Sequence, residues 1–423
     1  MGVIGAGLRL ALFCHLAACG GPEAQKPIAH ASAPSSSSSG LAPPSYRQEL
    51  LSLHKSLIEV ESISGNEEAV GKFLTRQLES WGYHTETQAI PIQSTLDGAR
   101  ETTRFNVIAY PASSSSSAKL LVTSHIDVVP PHIPYSTDLE PGADFTSETI
   151  VRGRGSVDAK ASVAAQLIAV RELIASKAIN ESDVMFLFVV GEEVDGIGMR
   201  FFSRSLQNSS SAHPGFDAVI FGEPTENKLA CGHKGLITCT AAAAGQAGHS
   251  GYPWLGKSAN EVLMRGLLAV LDADLGSSEE FGNTTVNVGL MSGGVAANVI
   301  PKSAHASIVV RVAIGPQSDG HNIVRQRIEG ALQNVDAEAL SLSCKDGNGY
   351  GVVACNCDVD GFESIVVNYG TDVPNLAGNH TRYLYGPGSI LVAHSDHEEI
   401  RVRDLETAVE GYKKLVKHAL TKA

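Results

Sequence analysis

Five short stretches put acids and histidines at the ends of apolar runs. "SHIDVV" carries His125 and Asp127, "GRGSVDAK" carries Asp158, and "VVGEEVDG" carries Glu192 and Glu193. "FGEPT" adds Glu223, and "AHSDHEE" adds His394 and His397. The first four recur at about 30-residue intervals through 125, 158, 192 and 223. Each alone is ordinary: a lone His-x-Asp usually does nothing, "GEE" is a common helix start, and "GEP" is a turn. "GRGS" lacks the Lys-Ser/Thr ending of a phosphate-binding loop. Jointly they need a reason, because hydrated carboxylates do not collect at apolar strand tips without a counter-charge.

A cation supplies that reason. Two imidazoles and three or more carboxylates, with no thiolate, describe a divalent site. Imidazole suits zinc or cobalt, and the oxygen donors also admit manganese. One Asp can bridge two ions about 3.5–4 Å apart. Asp127, two residues beyond His125 on the same strand face, can hold that ring's second nitrogen. Glu192 and Glu193 are neighbours and point in different directions. One can bind metal while the other stays free to take the proton of an acidified water.

These residues need a scaffold that gathers strand ends. Helical periodicity runs through "YRQELLSLHKSLIEV" and, after a Ser/Gly break, "NEEAVGKFLTRQLESWGY". "KLLVTSHIDVVP", "DVMFLFVVGEE" and "FDAVIFGEP" read as near-continuous apolar strands. "AKASVAAQLIAVRELIAS" reads as an amphipathic helix. Strands of that kind separated by helices predict an α/β domain with a mostly parallel central sheet flanked by helices. Ligands of such sheets bind beyond the carboxyl ends of the strands.

After about residue 230 the texture changes. "GLITCTAAAAG", "NTTVNVGLMSGG" and "SAHASIVVRVAI" alternate like half-buried strands, with helices near 257–272 and 320–334. That order predicts a small α+β unit with one sheet face covered. "YLYGPGSILVAHSDHEEI" and the helix after it resume the first domain. The expected division is a discontinuous catalytic domain, 46–230 and 343–423, with 231–342 inserted.

The 423 residues leave room for two to three domains. A net charge of −13 without clustered Lys and Arg argues against nucleic acid. Residues 1–19 fit a secretory signal peptide better than a membrane span. Residues 20–45 are Ser/Pro-rich and predict a disordered linker; the serine run 113–117 predicts an exposed loop. Four sequons, at Asn180, Asn208, Asn283 and Asn379, favour a secreted glycoprotein. Export permits disulfides among Cys231, Cys239, Cys344, Cys355 and Cys357, and the odd count leaves a thiol over.

Taken in order, "SHIDVVP", "GRGSVDAK", "VVGEEVDGIG", "FGEPT" and "YGPGSILVAHSDHE" carry a resemblance. Over roughly residues 46–423 the chain resembles the zinc-dependent aminoacylase, acetylornithine deacetylase and succinyl-diaminopimelate desuccinylase family, which includes carboxypeptidases. Its wording is most similar to secreted fungal carboxypeptidase-like members. The resemblance implies two Zn²⁺ per subunit, with His125, Asp158 and Glu223 on one and Asp158, Glu193 and His394 on the other. It implies Glu192 as base and acid, and Asp127 orienting His125. His397 competes with His394, which stands at the family's distance from "GPGSILVA". The inserted unit resembles a ferredoxin-like lid and dimerisation domain. There His249 in "AGHSGYP" would stabilise an oxyanion, commonly from the partner subunit. Asn298 in "GGVAANVIP" and Arg311 in "SIVVRV" would contact the substrate amide and carboxylate; a guanidinium suits a carboxylate well. The segment "GYGVVACNCDVDGFESIVVNYGTDVPNLAGNH" departs from the family by lacking a long helix, which leaves side-chain preference open. The implied function is a secreted zinc exopeptidase acting on peptides. The alternatives are an N-acyl-amino-acid deacylase and a non-catalytic metal-binding relative. A homodimer through the lid is expected; a membrane is not.

Overall fold

The computed structural model of the protein describes residues 42–91, 103–111, 118–208, 215–345 and 349–422. The signal-like segment, most of the Ser/Pro linker, the 113–117 serine run and the Asn208 side chain lie outside the described residues.

Three apolar runs form the centre. Strands Leu120–His125, Val184–Val189 and Ala218–Gly222 are buried at every position. Burial on both faces is why they read as continuous apolar stretches rather than alternating ones. They belong to a six-stranded sheet. Its order is His84–Ile90, Arg104–Tyr110, Val184–Val189, Leu120–His125, Ala218–Gly222, Thr381–Tyr385. The last four run parallel to one another, and the first two add an antiparallel edge. Parallel pairing in register (His125 opposite Val189, Ser124 opposite Gly222, Tyr385 opposite Gly222) brings four carboxyl ends to one side.

Helices cover both faces. Helices α1 (Arg47–Glu59), α2 (Glu68–Ser80), α3 (Lys160–Ala175) and, from the far end of the chain, Val402–Lys422 share one core with the sheet. Helix α4 (Ile197–Asn208) and the 353–376 segment close the other face. Helix α3 differs from its expected amphipathic character: from Lys160 through Val170 every residue is buried. It is wedged among the sheet, α1 and the C-terminal helix, and a helix apolar all round is a buried one.

A second sheet holds Thr285–Gly293, Ser303–Val312, Gly235–Ala244 and Leu340–Cys344, in that order and all antiparallel. Helices α5 (Ala259–Asp272) and α6 (Gly320–Asp336) share its apolar core. Strands Gly235–Ala244 and Ser303–Val312 alternate in burial, as half-covered strands must. The fourth strand, "LSLSC", was not anticipated, because it holds no β-branched or aromatic residue. Pairing with Gly235–Ala244 and a Cys239–Cys344 disulfide hold it there. A second disulfide joins Cys231 to Cys357, and Cys355 is the free thiol among the described residues. Where the long helix is missing, short strands at Val353–Ala354 and Ser364–Val367 flank Leu229–His233.

Candidate functional site

The parallel strands deliver their acids and histidines to one place. His125 ends its strand and is buried; its Nε2 lies 3.0 Å from Asp158 Oδ1 and 3.9 Å from Glu223 Oε1. His394 Nε2 lies 2.9 Å from Glu193 Oε2 and 3.3 Å from Asp158 Oδ2. The two oxygens of Asp158 therefore face different imidazoles. Two donor groups result, His125–Asp158–Glu223 and Asp158–Glu193–His394, with the donor atoms of each within 4.8 Å of one another. Asp158 is common to both. Neither His397 nor Glu192 belongs to either group among the described residues.

Asp127 departs from its expected contact. The nearest partner of His125 Nδ1 is the Asp127 backbone carbonyl at 3.0 Å, with the carboxylate at 3.7 Å. The carboxylate instead accepts the Ser64 hydroxyl at 2.7 Å and the backbone N–H groups of Glu192 and Glu193 at 3.1 and 3.3 Å. One residue thus holds the ring through its main chain and the paired-glutamate turn through its side chain. That turn starts at Gly191, whose φ is +76°. A Cβ there would sit 2.7 Å from Arg104 Nη2 and 2.8 Å from Ile197 Cγ2, so both conformation and space require glycine.

Arg154 and Glu398 join the loops that carry Asp158 and His394. Both side chains are 1% exposed and pair at 2.7 Å. Glu398 Oε1 accepts the N–H groups of Val157 and Asp158. Arg154 donates to the carbonyls of Ser395 at 3.1 Å and His394 at 3.5 Å. His394 itself sits at φ +62°, an uncommon conformation for a residue with a side chain. Such strain persists where surroundings over-determine it. Arg154→Met would leave the Glu398 charge buried and alone, so we expect destabilisation of about 3–5 kcal/mol by denaturant titration. Adding Glu398→Gln should recover part of it.

Gathered this closely, the acids and imidazoles shift one another's titration. Burial first, and then the neighbouring carboxylates, push Glu192 and Glu223 well above the usual carboxyl range and raise Glu193. Hydrogen bonds to Asp158 and Glu193 raise His394 to about 10. Burial disfavours charge on His125, but Asp158, Glu223 and Glu192 outweigh it and hold the imidazole well above its ordinary value. Glu193 Oε1 is buried and has no hydrogen-bond partner among the described residues. A donor set short of positive charge, with an orphaned carboxylate oxygen, fits divalent cations.

A cavity of about 220 Å³ opens over the cluster and is lined by Asp158, Glu192, Glu193, Glu223 and His394. Arg311, Tyr350, Tyr369 and Thr371 line it too. His249 and Asn298 do not. They meet elsewhere, where Ser250 N–H donates to the Asn298 carbonyl at 3.1 Å and His249 bridges Val299 on exposed loops. A larger cavity, about 760 Å³, lies beside Asp217 and Thr381 at the opposite end of the strands, and none of the metal donors lines it. Arg154, Tyr350 and Glu398 carry no local signal that marks them in the sequence. A fully buried Arg inside the "GRGS" loop has no periodic signature.

A doubly covered α/β sheet with paired donor groups at its carboxyl edge defines a metal-dependent hydrolase. The chain belongs to peptidase family M20/M25/M40, whose family description matches residues 121–418. It is 56% identical over 391 residues to a peptidase M20 domain-containing protein of Sordaria macrospora, covering 89% of this chain and 86% of the relative. A probable carboxypeptidase of Aspergillus terreus is 45% identical over 389 residues, covering 88% and 86%. In fold, it is similar to a Staphylococcus aureus tripeptidase, with TM-score 0.69, 18% identity and coverage of 89% and 99%. A dinuclear metal-binding peptidase of Bacillus subtilis gives 0.61, 15%, and coverage of 89% and 99%.

Proposed function

We propose that this peptidase is a secreted, zinc-dependent exopeptidase of carboxypeptidase type. The observation that carries the reading is a pair of donor groups sharing Asp158 beneath a cavity that Arg311 also lines. His125, Asp158 and Glu223 would hold one ion, and Asp158, Glu193 and His394 the other. Divalent ions so held supply Lewis-acid polarisation of a carbonyl and a water acidified toward neutrality.

The remaining work falls to the chain. Glu192 faces the cavity outside both donor groups, so its carboxylate takes the proton of the attacking water and returns it to the leaving amine nitrogen. Asp127 fixes Glu192 through its backbone N–H. Arg311 binds the substrate's free carboxylate, which confines cleavage to chain ends. The names of fungal relatives, probable carboxypeptidases, agree with this assignment. Two disulfides among the five described cysteines support an oxidising compartment. Asn180, Asn283 and Asn379 are exposed, as glycan acceptors must be.

Chelation followed by return of zinc, cobalt or manganese tests the reading. We expect two ions per chain and much faster cleavage of dipeptides with a free C-terminus than of their C-terminal amides. Cleavage of N-acetyl amino acids alone would assign a deacylase. Undiminished turnover without metal would reject the proposal.

His249 lies away from the cavity of its own subunit, so a second copy must supply it if it acts. The edge strand Thr285–Gly293 exposes Leu290 and Met291, and α5 exposes Met264, Leu268 and Leu271. An unpaired edge beside an apolar helix face suits self-association. Mixing His249→Ala with Glu192→Gln protein should therefore restore part of the activity that each lacks alone. No recovery in a verified mixed dimer would assign the site to one subunit.

A further inference from the structure

Arg311 shares its part of the cavity with a second polar side chain, Tyr350. Arg311 pairs directly with Leu236 across the small sheet. Leu236 pairs in turn with Tyr350, with both backbone N–H···O distances 3.0 Å. Residues directly opposite one another on paired strands project from the same face. Arg311, Leu236 and Tyr350 thus form one row, and all three line the cavity over the metal donors.

Gly370 stands across from that row and also lines the cavity. A Cβ added to it would lie 2.5 Å from Tyr350 Oη and 3.5 Å from Arg311 Nη1. Both polar atoms therefore reach the same small volume, which exists only because residue 370 has no side chain. Gly370 is not among the glycines with positive φ. Its backbone would accept alanine, and the space is what distinguishes it.

We propose that Tyr350 and Arg311 form a two-sided clamp for the substrate's terminal carboxylate, in the notch that Gly370 leaves open. The inference rests on the exopeptidase reading and adds two specificity-determining positions to it. A guanidinium offers parallel N–H donors to a carboxylate, and the phenol adds one O–H donor. Burial, and then the nearby Glu192 charge, push the Tyr350 hydroxyl above its ordinary range despite Arg311, so it stays a donor at neutral pH. A C-terminal amide would turn its own N–H₂ toward these donors and be refused.

The test compares free-acid and C-terminal-amide forms of one dipeptide on the zinc-loaded protein. Tyr350→Phe should lower the free-acid-to-amide preference in kcat/KM by about 10- to 100-fold, the effect of one hydrogen bond to a charged group. Gly370→Ala should do the same by displacing the hydroxyl. In the Tyr350→Phe background Gly370→Ala should add little, because the clashing oxygen is gone. An unchanged preference, an equal loss on both substrates, or additive effects would overturn the clamp. Calorimetric binding of an N-acetyl amino acid and its amide reads the same preference without turnover. A clamp seen in binding with no peptide cleavage would uphold this inference while rejecting the exopeptidase. Cleavage of free acids with no Tyr350 effect would do the reverse.

Discussion

Glu192→Gln should leave two metal ions bound while turnover falls by about 10²- to 10⁴-fold, the contribution of a positioned general base. The substitution keeps the side chain's shape and removes its ability to take a proton. Glu192 lies outside both donor groups, so metal content should not change. Its anchoring is also preserved, because Asp127 accepts the backbone N–H of Glu192 rather than any side-chain atom. The loss should therefore fall on kcat with KM nearly constant, the signature of an interaction needed only in the transition state. Metal analysis beside single-turnover kinetics checks this. Full activity would remove Glu192 from the proton path, and loss of an ion would make it a ligand.

The legible parts of the fold were those where one local signal sufficed. Strands buried on both faces, such as "VMFLFV", announce themselves as apolar runs, and acids at their tips conflict with that environment strongly enough to imply a cation. The parts that were not legible depend on contacts far apart in the chain. Strand Leu340–Cys344 looks neutral by propensity and is fixed by pairing and a disulfide. Helix α3 looked amphipathic because Arg171 and Glu172 sit near its end, yet α1 and the C-terminal helix help bury every residue from Lys160 through Val170. Asp127 was read as a support for His125. Its carboxylate instead holds a turn some 65 residues away in sequence, which a strand-face rule cannot foresee. The Arg154–Glu398 pair spans 244 residues and has no expression in local pattern.

Asp158→Ala should release both metal ions and abolish hydrolysis. Asp158 contributes one oxygen toward His125 and the other toward His394, so its removal leaves each donor group with two members. No other described carboxylate belongs to both groups. Equilibrium dialysis against zinc should fall from two ions per chain to none at concentrations that saturate the parent. Stability gives an independent readout. A ligand that binds only the folded state adds about 2.7 kcal/mol at a hundred times its Kd. Zinc should raise the unfolding midpoint of the parent and leave that of Asp158→Ala unchanged. Collapse of the loop is not an alternative explanation, because Glu398 holds residue 158 by its backbone N–H and Val157 by another. Both bonds survive removal of the carboxylate. A variant that still bound two ions and still gained stability from zinc would mean that the two ions do not share Asp158, and its bridging role would fail.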